Sequence, residues 1–208
     1  MIQLTKNERV AEYEDWLQNC FPQSLKGEVR AVLDVMPFGV NDVKSTGRQI
    51  HNVDNLIRPT FLTVQLDNEV LNIPYRLYFN EPDKEDEAKL TDTQKTILNC
   101  IYLRHQDGHV RESRMRKLLD KNDYWIIPFT FQLLGEYVLE ILEVLDKHIN
   151  NENIYNYQTF VKENPKYWQQ TESRMISYWN EYYRRPNFPI LKDYLGYQIM
   201  NRIKKANA

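Results

Sequence analysis

Through most of the 208-residue chain, apolar residues recur at intervals of three and four. They alternate one by one in a single stretch, between residues 61 and 79. The first spacing is that of a helix with one buried face, the second that of a half-buried strand. This contrast points to a mainly α fold, either an antiparallel helical bundle or a short helical stack, with one β-hairpin near residues 60–80. The chain has only six glycines, which disfavours folds rich in left-handed turns and sites built on glycine phosphate cradles. Eight Phe and 14 Tyr within a 42% hydrophobic composition supply a core and exclude a disordered chain.

The first helix is read from Val10, Tyr13, Trp16, Leu17 and Cys20, with Thr5 and Glu8 spaced as a capping box. A second is expected from Ser24 to about Met36, stopped by Pro37-Phe38-Gly39. Residues 39–58 are polar and lack a strong period, and are expected to form a loop or to supply a third strand. The run 61–66 and the alternating Leu71, Ile73, Tyr75, Leu77 and Phe79 flank the turn residues Asp67-Asn68, which predicts a hairpin. Pro74 points to an edge strand or a bulge. A lone hairpin is marginal in water, so it must pack on helices or find a further strand. The acidic segment 81–90 is expected to be a solvated linker between residues 1–80 and a helical region over 91–208, the whole forming one compact unit.

Beyond the linker, Thr91 and Gln94 make a second capping box. Asp107-Gly108 breaks one helix and opens another. The run from Trp125 to Leu134 is nearly apolar all round, with Pro128 in its first turn. Val138, Ile141, Leu142 and Leu145 mark an amphipathic helix ending near His148. Further helices are expected at about 156–163, 165–184 and 189–204, and eight of the 14 tyrosines lie from Asn151 onward. Segments starting at Gly108 and Glu136 align at an offset of 28 residues, and Asp107-Gly108-His109-Val110-Arg111 resembles the opening of the second helix in HEAT-like α-solenoid repeats. The resemblance covers residues 91–149. It implies that Asp107 caps, Val110 packs between helices and Arg111 meets carboxylates of the neighbouring repeat. The sequence departs from that pattern at Arg114, where the family favours a small residue, and at Leu139, which stands in place of the second arginine.

Chemistry-bearing residues are sparse. His105 and His109 are four apart, with Glu112 near, but Asp107-Gly108 interrupts the helix that would align them. His51 and Asp54 offer a base and a carboxylate with no nucleophile in a recognised setting. No catalytic residue, metal ligand or cofactor is assigned. Cys20 and Cys100 lie far apart in apolar helical patterns and read as buried thiols of a cytoplasmic protein. No apolar run approaches the roughly 18 residues needed to span a bilayer.

Net charge is −2, so there is no global attraction to nucleic acid. Residues 184–205 nonetheless hold six basic residues against Asp193, with tyrosines between them. Such interleaving can also grip single strands. The expected function is that of a non-catalytic protein–protein interaction protein, an adaptor, scaffold or toxin-neutralising protein. Its candidate interaction residues are Arg111, Arg114, Tyr182, Tyr183, Arg184 and Arg185, of types favoured at binding hot spots. The alternatives are a nucleic-acid-associated protein using the basic segment and an enzyme of unrecognised type.

Overall fold

A computed structural model describes residues 5–39, 43–45, 48–50, 53 and 55–206. The fold is mainly α. Helices α1 (Lys6–Gln18) and α2 (Lys26–Leu33) precede two short antiparallel strands, β1 (Val43–Ser45) and β2 (Arg48–Ile50). The expected hairpin follows as β3 (Phe61–Leu66) and β4 (Glu69–Pro74). Its register runs from Phe61 opposite Pro74 to Leu66 opposite Glu69. Asp67 takes the positive φ (51°) of the turn, a conformation that aspartate tolerates better than most residues.

The remaining α-helices are α3 (Lys84–Lys89), α4 (Asp92–Tyr102), α5 (Gly108–Arg116), α6 (Ile127–Phe131), α7 (Leu139–His148), α8 (Ile154–Glu163), α9 (Pro165–Tyr178) and α10 (Leu195–Lys205). Local chemistry sets several of their starts. Thr5 with Glu8 and Thr91 with Gln94 form reciprocal capping boxes on α1 and α4. Asp107 accepts from the His109 N–H at 2.8 Å to cap α5, and Pro165 opens α9 behind Asn164. The apolar run from 125 does not form one continuous α-helix. α6 is flanked by 3₁₀ turns at Tyr124–Ile126 and Gln132–Gly135, and Ile126 through Glu136 are all buried.

α4 packs on α2, α5 and α6, and α10 packs on α7, α8 and α9. One cluster of buried side chains runs from Tyr13 to Ile203. The hairpin is held on both edges. On the β3 side, the Asn164 side chain accepts from Gln65 N–H at 2.8 Å and donates to Gln65 O at 2.7 Å, as a paired strand residue would. On the β4 side, Asn72 N–H donates to Asn19 O at 3.0 Å, and the Cys20 thiol donates to Asn72 O. These bonds occupy the outward ladder groups of Gln65 and Asn72, part of the edge that makes an exposed strand hazardous. Beyond Pro74 the chain gains its further strand-like neighbours. Ile57 bridges Leu77 antiparallel, Leu77 bridges His105 in parallel, and Tyr13 Oη donates to Val53 O and accepts from Leu56 N–H.

The acidic segment is largely exposed, yet it is helical in part and anchored by ion pairs. Lys84–Lys89 is helical, and Glu81 and Glu87 both accept from Arg114, at 2.6–2.9 Å. Burial opposes the charge of Arg114, and the two carboxylates outweigh it and raise its pKa. Among the described residues no helix is long and apolar enough to cross a membrane.

Candidate arginine and tyrosine interaction site

Four arginines converge where β4, α5, α9 and the turn before α7 meet. Arg104, at the end of α4, is 1% exposed and donates to Pro74 O and Tyr75 O, fixing the backbone that presents Tyr75 and Arg76. Burial, with Arg76 nearby, lowers its pKa to about 10, so it stays charged at neutral pH. Arg111 lies one turn past the Asp107 cap. Its Nη1 donates to His105 O at 2.7 Å and Gln106 O at 2.9 Å, and its Nη2 to Glu136 at 3.3 Å. Arg76 Nη2 straddles both oxygens of the same carboxylate, at 2.9 and 3.0 Å. Arg174 comes from α9, where its stem lies against Gly135. Its guanidinium sits 5.0 Å from the centre of the Tyr75 ring, which Arg76 also faces at 5.4 Å.

Charge and donors are both in surplus here. Among the described residues, Arg76 and Arg111 pair with the same carboxylate, Glu136, and Arg104 and Arg174 pair with none. Arg76 Nη1, Arg111 Nε and the Tyr167 hydroxyl are buried without a partner. Burial raises the pKa of Tyr167, which stays a neutral donor. Unpaired buried donors and uncompensated charge are costly, and guanidinium donors suit a planar acid.

The cluster borders an aromatic face. Arg174, Tyr178 and Tyr182 follow one another at four-residue steps. The last falls in a π-helical turn, Trp179–Tyr183, a distortion frequent at functional sites. The rings of Tyr137, Tyr178 and Tyr182 form a triangle with centres 5.5–6.0 Å apart. Tyr137 is 47% and Tyr182 51% exposed.

The six expected interaction residues divide. Tyr182, Arg184 and Arg185 are exposed. Arg184 is stacked 5.5 Å over Trp179 and bonded to Asn180. Tyr183 is half-buried, stacks on Tyr194 and donates to Tyr137 O. Arg111 and Arg114 are 1% and 2% exposed. As direct contacts for a partner they are corrected, because their guanidiniums are turned inward on carboxylates and carbonyls of this chain. Arg76, Glu136 and Arg174 escaped the sequence reading. An acid directly after a buried apolar run was the signal available, and it marks Glu136 alone.

The histidine pair is also separated. Exposed His109 caps nothing, whereas His105 is buried, donating from Nε2 to Phe79 O at 2.8 Å and accepting Asp107 N–H at Nδ1. Both ring nitrogens of His105 are thus engaged. Among the described residues no group of three His, Cys, Asp or Glu side chains could hold a metal ion. His51 and Asp54 lie outside the described residues. Comparison of the chain with protein-family models, with curated proteins and with solved structures finds no match.

Proposed function

We propose that this is a non-catalytic interaction protein that binds another protein on the Tyr137–Tyr178–Tyr182 face. An acidic side chain of the partner pairs with Arg174 and Arg76. The observation that carries the reading is the adjacency of a tyrosine triangle, exposed at Tyr137 and Tyr182, to four arginines of which only Arg76 and Arg111 meet a carboxylate, that of Glu136. Tyrosine and arginine supply large contact areas with a polar tip, and they dominate binding energy where water is excluded. An adaptor, a scaffold and a toxin-neutralising protein would each use such a face. The Asp107 cap and the Arg111–Glu136 contact support the HEAT-like reading of residues 91–149. Two free, buried thiols suit the cytoplasm.

The test is affinity capture from the native host with mass-spectrometric identification. Wild type is compared with Tyr182→Ala, Arg174→Ala and the control Tyr155→Ala, an exposed tyrosine outside the triangle. A partner held by wild type and the control, and lost with the first two variants, is the expected result. A partner held equally by all four proteins would place the interface elsewhere.

A further inference from the structure

Where α8, α9 and α10 converge, a half-open cleft of about 240 Å³ is lined by Gln158, Val161, Lys162, Trp168, Ile203 and Lys204. It lies about ten residues, or about 15 Å, along α9 from Tyr178, away from the tyrosine face. Its walls are mostly apolar. The Trp168 indole packs against Phe131, with ring centres 5.9 Å apart, so the wall is supported from behind. Gln158, 5% exposed, is the polar element. Its Nε2 donates to Ile203 O at 2.8 Å. That bond fixes the orientation of the amide, because the flipped form would set two oxygens against each other. The remaining oxygen, Oε1, is buried and has no donor, a state that costs about 1–3 kcal/mol when left unanswered. At the mouth stand Lys162 and Lys204, both exposed. Among the described residues neither forms an ion pair.

These features define a complementary ligand. It has a flat apolar body for Trp168, Val161 and Ile203, an N–H or O–H for Gln158 and an anion for the lysines. A closed apolar cavity of about 150 Å³ holds benzene, so this cleft has room for a ring with a short acidic chain. We propose that the cleft binds a small aromatic acid carrying a ring N–H or O–H donor. The ligand's ring lies on Trp168, its donor meets Gln158 Oε1 and its carboxylate meets Lys204 and Lys162. A second macromolecule is a poorer fit, because the cleft has room only for a ring with a short chain.

Indole-3-acetate is the probe, titrated into the ¹⁵N-labelled full chain while the Trp168 side-chain N–H resonance is followed. Trp168→Phe assigns that resonance. The expected result is a saturable shift. Binding should weaken about tenfold or more for indole, which lacks the acid, and for 1-naphthylacetate, which lacks the donor, each losing one directed interaction. Lys204→Gln, an exposed change that leaves the fold intact, should weaken indole-3-acetate by a similar factor. Absence of a saturable shift at Trp168 up to about 5 mM, beyond the range of even weak specific binding, overturns the proposal. Equal affinities for the three probes also overturn it, because the cleft would then be a nonspecific apolar surface.

Discussion

Asp107 is a residue whose role is set within two positions of itself. Its carboxylate accepts the His109 N–H at 2.8 Å, satisfying one of the four unpaired donors at the start of α5. Asp107→Ala is expected to lower stability by about 1 kcal/mol, read as a reduced urea midpoint at unchanged slope. An unchanged midpoint would show that the cap adds nothing. Two histidines carry a second prediction. Burial lowers the pKa of His105 and of His148 from the ordinary value of 6.5. At His105 geometry reinforces this, since Nδ1 is occupied as an acceptor and cannot also carry a proton. The unfolded chain therefore takes up protons first as pH falls. Stability is full above about 6.5 and declines below it, by at most about 1.4 kcal/mol per pH unit for each histidine. Urea melts at about pH 7.5 and about pH 5.5 check the sign, and a midpoint that rises on acidification would contradict it.

At the scale of elements, the hairpin depends on side chains far from it in sequence. Asn164 joins α8 to α9 and also pairs with Gln65 of β3, in both directions. It donates to Phe160 O as well. Asn164→Ala would leave the Gln65 N–H and C=O without partners, and is expected to cost about 2–3 kcal/mol. Amide exchange should accelerate at Gln65 more than at residues of α4. Uniform acceleration would mean that Asn164 serves the fold at large and not the strand edge. Asn164 also shows where sequence reading stops. The hairpin itself was legible from alternation and from Asp67-Asn68, and the capping boxes of α1 and α4 from residues three apart. Each of these signals is complete within a few positions. That an asparagine would cover a strand edge 99 residues away has no local signature. The acidic segment hid its anchor for the same reason. Its composition is that of a solvated loop, and its distant partner Arg114 turns Glu81 and Glu87 into anchors.

Across the whole molecule the distribution of charge, more than its sum, decides what the protein can hold. The candidate site was half legible. Tyr182 and Arg184 could be picked out by residue type, but Arg76, Glu136 and Arg174 meet only through tertiary packing, and the same packing turned Arg111 and Arg114 inward. The basic C-terminal segment is also divided by its contacts. Arg202 is tied to Asp146 and to the Asp146 and Ile149 carbonyls, and Arg184 lies on Trp179. Arg185, Lys192, Lys204 and Lys205 remain exposed, separated by two prolines and the turn before α10. Affinity for single strands arises chiefly from neutralising phosphates along one continuous track, and the chain carries a net charge of −2. Labelled single-stranded DNA or RNA should therefore not bind below roughly 10 μM at physiological salt, within the range typical of nonspecific contacts. Fluorescence anisotropy is the measurement. Submicromolar binding that falls steeply with salt and disappears on replacing Arg202, Lys204 and Lys205 would make a nucleic acid, and not an acidic protein, the better-supported partner.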